Sequence, residues 1–147
     1  LDHDAGQAVT LEALPEGSGS RLTCWRADTG ARLAVRELPP TRWLALAGSL
    51  VVSGDAAGIR LWNVALEPLG QAALEDVTTA AVSVDRSYLA AACGARVCWL
   101  GLPRLEPLAV STLDGTVSDL ALVGEDLAVA AGEVVRLLPL PAGVGTR

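Results

Sequence analysis

The chain has 147 residues, 11 Lys+Arg against 17 Asp+Glu, a formal net charge of −6, one histidine and three cysteines. At 51% hydrophobic and 19% charged residues it is too apolar to remain disordered. Three cysteines cannot build a disulfide framework, and an acidic chain repels a phosphate backbone, so no nucleic-acid partner is expected.

Every basic side chain is arginine, and lysine, methionine and phenylalanine are absent. The depleted residues share A/T-rich codons, which points to a GC-rich gene. A start at Leu1 predicts a piece of a longer protein. Leu1-Asp2-His3-Asp4 has no basic region followed by an apolar run, so no signal peptide is predicted. His3 has no nucleophile or base beside it in sequence and is read as a solvated side chain in the turn before a strand.

The first predicted strand covers residues 8–14, and a turn follows at 15–20. Gly17-Ser18-Gly19 lies in that turn with neither a lysine nor a following helix, which excludes a phosphate-binding loop. Arg21-Leu22-Thr23-Cys24-Trp25 forms the next run, and the turn Trp25-Arg26-Ala27-Asp28-Thr29-Gly30 leads to a run at 31–38 and then Pro39-Pro40. Short apolar runs follow at 43–47, 50–53 and 59–64, separated by turns rich in Gly, Asp and Ser. Runs of four to eight residues between such turns are strands, and no segment sustains a helical apolar stripe. The most apolar stretch, residues 88–102, is shorter than the ~20 residues of a spanning helix and has Arg96 at its middle, so no membrane span is expected.

The runs repeat. Trp25, Trp62 and Trp99 recur every 37 residues, each closing a similar run, and Val134-Val135-Arg136-Leu137-Leu138 supplies a fourth copy with leucine in the tryptophan position. Leu66-Glu67-Pro68-Leu69 returns as Leu105-Glu106-Pro107-Leu108. Residues 44–54, 80–94 and 120–132 are three versions of one further segment. Four short strands per ~40 residues is the signature of a propeller blade.

On these residues the chain resembles the WD40-repeat family in a degenerate form, over roughly residues 8–141. It has no Trp-Asp and no Gly-His dipeptide, and Asn63 after Trp62 is the nearest substitute. The resemblance implies an all-β fold: a β-propeller of four-stranded antiparallel blades. Residues 1–147 would hold about three and a half blades, an incomplete ring with anchors near 25, 62, 99 and 137–138. The remaining blades would come from the rest of a longer chain or from a second subunit, and two copies would give about seven. An open arc predicts one exposed apolar blade face at each end. In the family a hydrogen-bonded network locks each blade, and here Trp62, Ser53 and Asp55 could supply part of it.

Trp25, Trp62 and Trp99 read as structural anchors at equivalent positions. Cys24 and Cys98, each before an anchor, read as equivalent buried thiols, and Cys93 is brought near Cys98 by the Gly94-Ala95 turn. No metal site and no cofactor is expected. The carboxylates Glu75, Asp76, Asp114, Asp119, Glu125 and Asp126 read as solvated turn charges. Free thiols predict a cytoplasmic address, with the nucleus as the alternative.

The resemblance implies a non-catalytic protein–protein interaction scaffold or substrate-recognition module, with the substrate-binding part of an F-box-type ubiquitin-ligase adaptor as one form. Partners dock on the turns before the innermost strands and before the tryptophan strands. Those turns are read as carrying Arg36, Glu37 and Arg42, then Asp55, then Glu75 and Asp76, then Asp114 and Glu133. Trp43 is the aromatic candidate near the ring mouth. This mainly acidic rim would favour a basic or mixed-charge peptide. The alternative is a propeller enzyme, a hydrolase or quinone-dependent dehydrogenase, with its site in other blades. The innermost runs at 43–47, 80–84 and 117–123 carry only Ser83, Ser118 and Asp119 as polar residues. A third reading is a purely structural fragment.

Overall fold

The computed structural model describes residues 2–4 (backbone only), 6–47, 49–83, 85–123, 125–141 and 144. Among the described residues, fifteen strands fall into four consecutive antiparallel meanders. The first sheet is β1 (Asp2–Asp4), β2 (Gln7–Ala13), β3 (Ser20–Arg26) and β4 (Arg32–Leu38). The second is β5 (Thr41–Ala47), β6 (Leu50–Asp55), β7 (Gly58–Asn63) and β8 (Pro68–Ala73). The third is β9 (Val77–Val82), β10 (Tyr88–Cys93), β11 (Arg96–Gly101) and β12 (Glu106–Thr112). The fourth is β13 (Val117–Val123), β14 (Asp126–Ala131) and β15 (Val134–Pro139). The only helical piece among the described residues is a 3-10 turn at Pro15–Gly17.

Each sheet's first strand touches the first strand of the next: β1 meets β5, β5 meets β9, and β9 meets β13. Four sheets joined edge to centre in this way are blades of a β-propeller, and they form an incomplete ring.

The strand period of two explains the near-continuous apolar runs. Successive side chains point to opposite faces, and an inner blade has a neighbour on both. Val51 and Trp62 therefore enter the core between blades 1 and 2, beside Val9, Leu22 and Cys24. Val52, Ile59 and Leu61 enter the core between blades 2 and 3, beside Leu89, Ala91 and Leu100. Ala90, Val97 and Trp99 turn the other way, toward Leu120, Leu127 and Val129 of blade 4. Every residue of β10 is buried, and its alanines let blades 2 and 4 approach the central strand closely. Each fully buried Val or Leu contributes about 1.5–3 kcal/mol relative to exposure.

Three expectations are corrected. First, the partial blade among the expected three and a half is the last and not the first: β1 gives blade 1 four strands, and the described residues of blade 4 form three. His3 lies in β1, opposite Ala8, rather than in a turn. A three-residue polar strand carries no apolar pattern by which it could be read.

Second, the tryptophans are not all equivalent. The pairing of the third and fourth strands shifts at Cys24/Trp25 in blade 1, at Leu61/Trp62 in blade 2 and at Trp99/Leu100 in blade 3. Trp25 and Trp62 follow the bulge, whereas Trp99 precedes it, and Leu100 occupies their position. A one-residue offset reverses the face. Trp62 consequently faces blade 1 while Trp99 faces blade 4. For the same reason Cys24 and Cys98 are not equivalent: Cys24 faces the following blade, Cys98 the preceding one.

Third, the two end faces differ. The free face of blade 1 carries Glu12, Arg21 and Glu37 directly opposite one another, with Arg21 pairing to Glu12 at 3.4 Å and to Glu37 at 3.3 Å. Thr10 and Trp25 lie on the same face. Val35, 41% exposed, also lies on it, so both ends carry apolar side chains, with the larger exposed set on blade 4. Ala121, Ala128 and Leu137 lie across its outer face, with Val135 and Leu137 72% and 62% exposed.

Candidate docking face

Two families of turns meet at one end of the arc: those entering each first strand and those entering each third strand. Short backbone bonds tie them together. Gly94 N–H donates to Asp76 O at 3.4 Å, Leu113 N–H to Ala95 O at 2.8 Å, and Val117 N–H to Gly94 O at 2.8 Å. The two-residue turn Gly94-Ala95 thus joins the entry of its own blade to that of the next. At blade 1, Thr41 N–H donates to Ser20 Oγ at 2.9 Å. Gly58 is fixed by close approach and by its backbone: φ is +136°, and a Cβ would lie 2.0 Å from Ala72 O. Only glycine takes that conformation without strain.

Five of the predicted side chains sit on these turns. Glu75 and Asp76 lie between β8 and β9, Asp114 between β12 and β13, Glu133 between β14 and β15, and Asp55 ends β6. Glu75, Asp76, Asp114 and Glu133 are exposed. Asp114 is engaged by Arg136 at 3.6 Å. This pair lines a cavity of about 210 Å³ with Gly115, Val129 and Gly132.

Asp55 is buried and committed to structure rather than to the tryptophan network. Its Oδ1 accepts from the N–H groups of Ala57 and Gly58 at 2.8 and 3.2 Å, and its Oδ2 pairs with Arg60 Nε at 3.2 Å. The network itself reduces to Trp62 Nε1 donating to Ser53 Oγ at 2.9 Å. The other two anchors use hydroxyls elsewhere in their blades, Thr10 for Trp25 at 3.0 Å and Ser111 for Trp99 at 3.1 Å.

Three predicted residues are not in turns. Arg36 and Glu37 lie within β4, and Arg42 lies within β5. Proline at 39 and 40 ends the ladder after Leu38, so the turn is shorter than the sequence implied. Arg36 is a tie between blades. Its guanidinium lies 5.1 Å from the Trp62 ring centroid and donates to Leu66 O at 2.7 Å. Glu37 belongs to the Arg21 ladder, and Arg42 is exposed.

Trp43 is half-buried against the core between blades 2 and 3, where its Nε1 donates to Val77 O at 3.3 Å. It lies flat on Gly54, where a Cβ would sit 2.1 Å from the indole.

Sequence reasoning missed the backbone hub at Gly94 and the Asp55–Arg60 pair. The first had a signal in its Gly-Ala turn between two apolar runs. The second needs two residues that only strand pairing brings together. Of the inner polar residues, Ser83 falls just after β9. Its Oγ donates to Asp85 at 2.8 Å and accepts from Ser87 N–H and Tyr88 N–H. Ser118 Oγ donates to Ala130 O at 3.2 Å, and Asp119 accepts from Leu120 N–H at 2.9 Å. Asp119 and Asp126 lie in strands, not turns.

Among the described residues no three His, Cys, Asp or Glu side chains gather as metal ligands. No helix is long and apolar enough to cross a membrane. Burial pushes the Cys24 thiol up, whereas the Arg26 guanidinium beside Asp28 holds that exposed carboxyl down.

No protein-family model matches the chain, and no curated protein matches it. Solved structures do. The dihydro-heme d1 dehydrogenase NirN, in complex with DHE, is 17% identical, with a TM-score of 0.73 over 94% of this chain and 33% of its own. The C-terminal WD40 domain of Sif2 gives 17% identity and a TM-score of 0.65 over 95% of this chain and 48% of its own. BamB from Moraxella catarrhalis gives 17% and 0.57 over 83% and 46%. At this identity the likeness establishes the propeller fold alone. The chain spans a third to a half of these structures.

Proposed function

We propose that these blades are part of a larger WD40-like propeller and serve as a rigid, non-catalytic platform for a protein partner, docked on the face described above. The observation that carries this reading is the set of exposed carboxylates at one end of the arc, with Glu75, Asp76 and Asp114 on turns tied by backbone hydrogen bonds. Glu75, Asp76 and Glu133 have no ion pair among the described residues, and Asp114 holds only a solvent-exposed one. Fixed charges on a rigid rim steer an oppositely charged partner and set its orientation. The partner class is a basic or mixed-charge peptide segment. Substrate recognition within a ubiquitin-ligase adaptor is one use of such a platform, and a cytoplasmic or nuclear address fits it.

The test is binding of an arginine-rich peptide to the wild type and to the Glu75→Lys/Asp76→Lys double variant. Affinity should fall about ten-fold or more in the variant at low ionic strength, and the difference should shrink as salt screens the rim. Equal affinity at low salt would remove the rim from the site. The likeness to a dehydrogenase propeller favours a second reading, an enzyme whose reacting groups lie in other blades, with these blades as its wall.

A further inference from the structure

The hairpin β10–β11 brings two of the three thiols together. Cys98 pairs directly with Ala91, and Cys93 with Arg96, so the two cysteines sit diagonally on the same face, across the Gly94-Ala95 turn. Both enter the core between blades 2 and 3. Diagonal neighbours on one face of a sheet lie about 7–8 Å apart, and here the two thiols turn toward each other closely enough to share a hydrogen bond. Cys93 Sγ also has a weak contact with Ala91 O at 3.8 Å.

Burial alone would make both thiols inert, as it does Cys24. Two features separate Cys98 from that case. It forms part of the wall of an open groove of about 280 Å³ between the outer strands of blades 2 and 3, shared with Ala72, Leu74, Leu105 and Pro107. Its interaction with the Cys93 thiol, aided by the positive charge of Arg96, lowers its pKa to about 7, while Cys93 is pushed up. The groups charged toward the pair are Arg96 on their own hairpin and Asp76 on the turn entering β9.

We propose that Cys93 and Cys98 form a reversible oxidation site, in which a peroxide entering the groove reacts at Cys98 and Cys93 resolves the product to a disulfide. The Cys98 thiolate attacks one peroxide oxygen. The O–O bond breaks, an S–O bond forms, and the leaving hydroxide takes a proton to become water. The Cys93 sulfur then attacks the Cys98 sulfenic sulfur. The S–S bond forms, the S–O bond breaks, and the hydroxide leaves as water with the Cys93 proton. Two thiols lose two electrons, and one hydrogen peroxide becomes two waters. A small thiol returns the pair to the reduced state by exchange.

The experiment treats the full chain with hydrogen peroxide, then blocks free thiols and maps the peptides by mass. A Cys93–Cys98 linkage is expected, with Cys24 still free and the linkage removed by dithiothreitol. In the untreated native protein at pH 7, iodoacetamide should label Cys98 about ten-fold or more faster than Cys24. In Cys93→Ala, dimedone should trap a sulfenic acid on Cys98. The wild-type measurements stand without that variant if it fails to fold. Three titratable thiols after peroxide, linkages involving Cys24, or equal labelling of Cys98 and Cys24 would each overturn the proposal.

Discussion

Trp62 and Gly54 illustrate how much of this fold depends on single contacts. The Trp62 indole is buried, and Ser53 is the partner of its N–H. Ser53→Ala leaves that donor dry, a cost of about 1–3 kcal/mol. A lowered urea midpoint with an unchanged slope would register it. Gly54→Ala drives a methyl into the Trp43 ring, whose Nε1 is tied to Val77 O. The expected loss is about 1–3 kcal/mol or more, read from the same denaturation curve. Unchanged stability would mean that Trp43 can leave its seat. The Trp–Ser half of this was legible, because both residues stood in the repeat. The Trp43–Gly54 contact was not, because a glycine's neighbour across a sheet leaves no mark in composition.

Among the elements, the turn after β7 is held by a single side chain. Asn63 Oδ1 accepts from the N–H groups of Ala65 and Glu67 at 2.9 and 3.0 Å. That side-chain bond holds the turn open for Leu66, which is buried at a φ of 58° and whose carbonyl receives Arg36. Leu105 has the same conformation, a φ of 61°, in the next blade. Asn63→Ala should cost about 1 kcal/mol or more, while Asn63→Asp, which keeps the acceptor but sets a second carboxylate against Glu67, should cost less. Thermal unfolding of the two variants decides it. The strands themselves were readable from alternation and turn residues. The registers were not: tryptophan recurs every 37 residues, yet Trp99 sits one residue earlier in its strand than Trp62, before the bulge instead of after it, and so faces the opposite blade. Bulges insert a residue without changing its type, so the pattern gives no sign of them.

At the scale of the whole molecule the two ends are unlike. Blade 1 ends in an ion-pair ladder beside Trp25 and Val35, and blade 4 ends in Ala121, Val135 and Leu137, the last two more exposed, with Asp119 and Asp126 at the margins. The chain alone should therefore associate through blade 4. Val135→Lys/Leu137→Glu should lower the sedimentation coefficient at high concentration and reduce binding of an apolar dye, with little change in stability, since both side chains are exposed. The propeller architecture was legible from the repeat. The asymmetry was hidden, because Arg21 with its two glutamates reads as ordinary surface charge until the pairing sets them on one face.

Amide hydrogen exchange with and without an arginine-rich peptide reports whether a partner seats on the docking face. Added protection confined to residues 74–76, 94–95, 113–116 and 132–133 is the result expected of a partner seated on the linked turns. Protection along the outer strands β4, β8 and β12, or none anywhere with the peptide bound, would place the partner elsewhere and exclude the linked turns as its seat.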